Sequence, residues 1–243
     1  MSISCLAIIH TVGYSEDIER SVIPVCIFAK PFIAGHVKTR LARALGHKRA
    51  ADLAAAMFHD VWRTVSSCSG VRPVLATLQP DIDGLRHARS ECPVEISPDD
   101  ILLQGDGDLG ARLESIFRQA LATAPAAIAV GADTPLLTSA HLEQTLEGLA
   151  SNHAVIGPCH DGGFYLLALR ACPRQLFSGL PWSTGQTAYA TRRRLEACGF
   201  SVEELDPLFD VDTPDDLVLL TASLSHQPSA APATHAWRLE NDL

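Results

Sequence analysis

Three cations stand close together in the stretch VCIFAKPFIAGHVKTRLARALG, Val25 to Gly46: Lys30, Lys38 and Arg40, with Pro31, Gly35 and Thr39 between them. An apolar run precedes the loop and an Ala/Leu-rich helical pattern follows it. If the run is a central strand, the loop leaves its carboxyl end and the next helix presents its N-terminus there. Free N–H groups, the positive end of a helix dipole, a glycine allowing close approach at Gly35 and cationic side chains together make an anion site suited to phosphate. An ordinary solvated strand-to-helix loop of the same composition is the alternative, because a short Gly/Lys loop is a weak motif.

Carboxylates recur at other strand ends. In AIAVGADTPLL the apolar run delivers Asp133 to the carboxyl edge, with Pro135 ending the strand. Beside a polyphosphate such a residue supplies the hard oxygen that Mg²⁺ takes, and otherwise it is a turn or cap residue. In FDVDTPDDL, Asp210 and Asp212 alternate across an extended segment, so that one of them can point toward a metal, while Asp212 or Thr213 caps the helix opened by Pro214. In GPCHDGGFYLLAL, Asp161-Gly162-Gly163 predicts a hairpin turn whose carboxylate could also orient an acceptor hydroxyl. His160 has no His or Cys partner at ligand spacing.

Two polar loops complete the set. QGDGDLGARLESIF is neither an EF-hand nor a Walker loop, but Gln104 before a glycine-rich turn suits the reading of a nucleobase edge, since an amide both donates and accepts. Ser183 and Thr184 precede a helix expected from about Gln186, as an N-cap or as hydroxyls for an acceptor phosphate or carboxylate. Trp182 could stack on a base or sugar, but following a proline it reads rather as packing.

These residues need a frame, and the chain supplies one. Strands are expected at Ile23–Ala29, Val71–Leu78, Ala126–Gly131, Ala154–Gly157, Phe164–Leu169 and Ser201–Leu205. Helices are expected over Lys48–Ser67, Leu109–Ala122, Ser139–Ala150, Gln186–Cys198 and Pro214–Leu224. The alternation implies an α/β protein with a mostly parallel sheet that binds ligands outside the carboxyl ends of its strands. At 243 residues and 47% hydrophobic, one large domain over about 22–222 is expected, flanked by a leader or edge strand over 1–21 and a mobile Ser/Ala/Pro-rich tail over 223–243. A net charge of -9 argues against nucleic acid as a partner, which would require a broad basic face. No run is long enough to span a membrane. Seven scattered cysteines without a C-x-x-C pair read as reduced thiols, and with no signal-peptide pattern they point to the cytoplasm.

Taken in order, F-A-K-P-x-x-x-G-x-V-K-T-R-L, Q-G-x-G-D-L-G-x-R-L, G-A-D-T-P-L-L, G-P-x-x-D-G-G-F-Y-L-L, W-S-T and D-V-D-T-P-D-D-L resemble an uncharacterised bacterial family of GT-A-like proteins. That family is similar to the guanylyltransferases of molybdenum-cofactor and phospholactate metabolism. The resemblance implies a single Rossmann-like, three-layer α/β/α domain of the nucleotide-diphospho-sugar transferase fold. It makes Lys30, Lys38 and Arg40 the phosphate clamp around Gly35, Gln104 and Gly110 base-loop residues, and Asp133 and Asp212 ligands of Mg²⁺ or Mn²⁺. The loop departs from the G-x-G-T-R type of sugar-nucleotide pyrophosphorylases, since lysines stand where glycines would. Two reactions remain open. One is nucleotidyl transfer from a nucleoside triphosphate to a small phosphorylated or phosphonate acceptor. The other is GT-A glycosyl transfer from a nucleotide sugar, with Asp161 as base. The clustered cations favour the triphosphate.

Overall fold

The computed structural model describes residues 17, 18, 20–78 and 96–243. Residues 1–16 and 19, where the leader or edge strand was expected, lie outside the described residues. The described chain runs β1 (Ile23–Phe28), α1 (Thr39–Leu45), α2 (His47–Ser67), β2 (Val71–Thr77), β3 (Ile101–Leu103), α3 (Leu109–Ala120), β4 (Ala127–Gly131), α4 (Ser139–Ser151), β5 (Ala154–Pro158), β6 (Phe164–Leu169), α5 (Thr187–Ala197), β7 (Val202–Glu204), α6 (Pro214–His226) and α7 (Pro232–Glu240). Among the described residues the strands form one sheet in the order β3-β2-β1-β4-β6-β5-β7. Neighbours are parallel except where β6 enters between β4 and β5, antiparallel to both. That insertion follows from the Asp161-Gly162-Gly163 hairpin, which reverses the chain directly out of β5. No described helix is long and apolar enough to cross a membrane.

Both faces of the sheet are covered because its central strands are apolar on both sides. Ile23, Val25 and Ile27 of β1 pack with Phe58 and Trp62 of α2 and with Leu142 and Leu149 of α4. Cys26, one position out of phase, packs on the opposite face with Leu113, Ile116 and Phe117 of α3 and Leu195 of α5. The result is three layers, helices over sheet over helices. β3 was not expected from the sequence, since three residues carry too little alternation to register.

A third cluster lies at one end of the sheet. Leu41 and Ala42 of α1, Leu53 and Met57 of α2, Val211, Leu217 and Leu220 of α6 and Trp237 of α7 form it. The tail expected to be mobile is therefore an ordered helix. Asp60, 1% exposed on α2, accepts hydrogen bonds from the backbone N–H groups of Ala233 (3.0 Å) and Thr234 (2.8 Å) at the start of α7. These are orphan donors of a helix N-terminus, satisfied here by a carboxylate from a distant element. Trp237 is buried on the same contact. A Ser/Ala/Pro composition hides a helix whose docking depends on one aromatic side chain and one remote acid.

Trp237→Ala should cost about 3–5 kcal/mol through the cavity it leaves. For a chain of this size that lowers the melting temperature by roughly 10 °C. A melting curve unchanged by the substitution would mean that α7 is not part of the cooperative fold.

Candidate functional site

The site grows out of the adjacency of β1 and β4. Their parallel register pairs Phe28 with Gly131, so the loops beginning at Ala29 and Ala132 leave the sheet side by side. Ala132 N–H donates to the Phe28 carbonyl, and Val211 N–H donates to the Asp133 carbonyl at 3.0 Å. The segment before α6 is thereby sewn to the loop after β4. Gly131 leaves room for this, because a Cβ there would lie 2.4 Å from Asp133 Oδ1.

Lys38 joins the three segments. It occupies the N-cap of α1 in the left-handed backbone region, at φ 47° and ψ 46°. Its Nζ donates to Asp133 Oδ2 at 2.8 Å and to Asp212 Oδ1 at 2.5 Å. The lysine side chain is 9% exposed, against 34% for Asp133 and 42% for Asp212. Burial by itself would depress the ammonium's pKa, but the fields of Asp133 and Asp212 outweigh it and hold Lys38 well above its ordinary value. Burial likewise acts to raise Asp133, and Lys38 reverses the sign, holding that carboxyl below the usual carboxylate range. Both partners stay charged at neutral pH.

Asp210 joins the group beside Asp212. Oxygens of Asp133, Asp210 and Asp212 lie within 4.8 Å of one another, and Asp210 also comes within that distance of Asp161 and the Cys159 sulfur. The expectation that only one of Asp210 and Asp212 would face the site is corrected. Residues i and i+2 of an extended segment share a face, and Val211 between them points into the core at 0% exposure. Burial, then the neighbouring Asp133, Asp161 and Asp212, push Asp210 up to about 6. So crowded a set of carboxylates is an excess of negative charge at one point. Its hard oxygens fit a divalent cation of the Mg²⁺ or Mn²⁺ type, and the Lys38 ammonium is a cation already standing among them.

Beside this group is a cavity of about 390 Å³ lined by Lys30, His36, Lys38, Arg40, Asp133 and Asp212, with Phe32 and Met57 among its apolar walls. The three cations expected to act together thus meet at the carboxyl edge, and His36, not singled out from the sequence, joins them. Gly35, at φ +88°, supplies the turn of the same loop.

The remaining predicted residues do not line this cavity, although Asp161 adjoins Asp210. Gln104 is buried, and its amide donates to the Ala76 carbonyl at 2.8 Å, so it braces β2 rather than lining the cavity. Gly110 is a packing residue inside α3, where a Cβ would lie 2.8 Å from the Phe177 carbonyl and 2.9 Å from Trp182 Nε1. Trp182 packs among Phe164 and Phe177 as expected. Asp161 accepts from the Gly163 N–H at 2.7 Å within the hairpin turn. Thr184 is not the cap of α5, whose N-cap is Gln186. It forms a local turn instead, its hydroxyl donating to the Pro181 carbonyl and accepting from the Gln186 N–H. Ser183 has positive φ, 58°. Thr213 is the cap of α6, in a reciprocal capping box with Asp216. The hairpin and the Ser183–Gly185 loop touch: a Cβ on Gly162 would lie 2.2 Å from the Gly185 carbonyl oxygen. Asp161 and the Ser183–Thr184 pair therefore flank one junction.

A mostly parallel sheet of this order, with cations after β1 and carboxylates after β4 and before α6, defines the nucleotide-diphospho-sugar transferase fold, and the chain is a transferase of that superfamily. A solved structure from Desulfovibrio desulfuricans, provisionally assigned as a nucleotide-diphospho-sugar transferase, matches it with a TM-score of 0.81 at 25% identity, over 91% of this chain and 96% of that one. The 4-diphosphocytidyl-2C-methyl-D-erythritol synthase of Anaerococcus prevotii shares the fold, with a TM-score of 0.55 at 14% identity over 86% and 98%. In sequence the chain is similar to the 2-phospho-L-lactate guanylyltransferase of Methanopyrus kandleri, 28% identical over 195 residues, 79% of this chain and 88% of the relative. The chain belongs to the family described as uncharacterised protein conserved in bacteria (DUF2064), which matches residues 63–184, half of its length.

Gly162→Ala should be costly, because it combines a positive φ of 89° with overlap against the Gly185 backbone. A loss of about 2 kcal/mol or more, a melting shift of roughly 4–8 °C, is expected by calorimetry. A neutral outcome would mean that the hairpin and the Ser183–Gly185 loop are not locked together.

Proposed function

We propose that this chain is a nucleotidyltransferase that moves the nucleotidyl group of a nucleoside triphosphate onto a small phosphorylated or phosphonate acceptor, with release of pyrophosphate. The observation that carries this reading is the single cavity in which Lys30, Lys38 and Arg40 face Asp133 and Asp212. Several cations converging with carboxylates suit a ligand bearing more negative charge than a diphosphate, and the guanylyltransferase relative supports it.

In this reading an acceptor oxygen attacks the α-phosphorus, the bond from that phosphorus to the β-bridging oxygen breaks, and the electron pair leaves with pyrophosphate. No covalent protein group is needed, so the chain's work is positioning and electrostatics. Lys30 and Arg40 hold the β- and γ-phosphates and neutralise the leaving group. Asp133, Asp210 and Asp212 would hold Mg²⁺, which when bound supplies Lewis-acid neutralisation of phosphate oxygens. Ser183 and Thr184 bind the acceptor across the junction from Asp161, which orients its nucleophilic oxygen.

Nucleoside triphosphates with Mg²⁺ should raise the melting temperature more than UDP- or GDP-sugars do. A ligand at about a hundred times its Kd adds roughly 2.7 kcal/mol, which corresponds to about 5–10 °C here. Arg40→Ala should lose most of that shift. Stabilisation by sugar nucleotides alone, retained in the variant, would replace nucleotidyl transfer with glycosyl transfer. Asp133→Asn should abolish the Mg²⁺-dependent part of nucleotide binding while leaving the circular dichroism spectrum intact. Unchanged Mg²⁺ dependence would remove Asp133 from the metal site.

A further inference from the structure

Phosphate clamping leaves one feature of Lys38 unexplained. A lysine whose task is to hold phosphates would be expected to extend into the cavity with its ammonium open to the ligand. Here the ammonium is almost fully buried and committed to two carboxylates, at 2.8 Å from Asp133 and 2.5 Å from Asp212. Both carboxylates also belong to the cluster that fits the divalent ion. Two cations cannot share those oxygens at close range without strong repulsion in a partly desolvated site.

From this we infer that Lys38 is an internal counter-ion that keeps the carboxylate pair in place before the reaction and excludes free divalent metal from it, giving up the carboxylates only when a triphosphate enters with its metal. The incoming phosphates provide the compensation that a bare ion lacks, because they offer the displaced ammonium a new partner. Lys38 lines the same cavity as Lys30 and Arg40, so its flexible four-carbon stem needs only to turn from the carboxylates toward the cavity. The site would thus distinguish metal that arrives with nucleotide from metal that arrives alone. The role has a backbone counterpart. The left-handed conformation of Lys38 at the start of α1 is one that glycine or asparagine adopts more readily than lysine. The ion pairs to Asp133 and Asp212 are what the lysine gains there.

This inference rests on the proposed nucleotide site, but its decisive measurement uses the metal alone. Mn²⁺ binding to the full chain is titrated by electron paramagnetic resonance without nucleotide, for the wild type, Lys38→Met, Lys38→Asn and Arg40→Met. Asparagine is included because it tolerates the left-handed backbone, so a folded neutral variant is secured. Both Lys38 variants should bind free Mn²⁺ roughly tenfold or more tightly than the wild type, because a buried competing charge has been removed. Arg40→Met, which removes a cavity cation not bonded to the carboxylates, should change the affinity by less than about threefold. The same Lys38 variants should bind nucleoside triphosphate with Mg²⁺ more weakly than the wild type. Unchanged or weaker Mn²⁺ binding in both Lys38 variants would overturn the counter-ion role, as would an equal gain in Arg40→Met. If Mn²⁺ binding tightens as expected while no triphosphate binds any form, the lysine's hold on the carboxylates stands and the nucleotidyltransferase reading fails instead.

Discussion

The ammonium of Lys38 between Asp133 and Asp212 is the interaction on which the working edge of this protein depends. It ties together three pieces of chain that no local rule would assemble: the loop after β1, the loop after β4 and the extended segment before α6. Without that cation, Asp133, Asp210 and Asp212 would face one another with much less to offset their repulsion, since Lys30 acts on Asp133 more weakly than Lys38 does. Burial first, and then the neighbouring carboxylates, raise Asp210 even with the lysine in place.

Packing behind the edge converts that electrostatic knot into a rigid one. Val211, between the two aspartates, and Leu41, one turn beyond Lys38, enter the same apolar cluster as Met57 and Trp237. The C-terminal helix therefore supports the site without touching it. Its anchor, Asp60, is a buried carboxylate whose burial raises its pKa against the two backbone N–H groups and Arg63 that favour its charge. Met57 has atoms on both sides of this arrangement, in the cluster and in the cavity wall. A change in how α7 docks is thus one side chain away from the cavity lined by Lys30, Lys38 and Arg40.

The part of the carboxyl edge next to the carboxylate group, where Asp161 approaches Asp210, is built by close backbone contact. Gly162 lies against Gly185 and Gly110 against Trp182, leaving no room for side chains. The hairpin bearing Asp161 and the loop bearing Ser183 and Thr184 are consequently held against each other.

Much of this was legible in the sequence because it is local. Alternating apolar runs placed six strands within a residue or two, the Asp161-Gly162-Gly163 turn marked the hairpin, and Thr213-Pro214 marked the start of α6. The cations of the β1 loop and Asp133 were recognisable because strand ends bring such residues to one edge. What only the tertiary structure decided is non-local. Lys38 finds partners 95 and 174 residues away, Asp60 caps a helix 173 residues on, Asp210 joins Asp212, and Gln104 turns inward to a strand carbonyl. Periodicity and turn chemistry act over a few residues, whereas these pairings depend on which strands become neighbours. The adjacency of β1 and β4 is set by helical crossovers and by burial of both sheet faces.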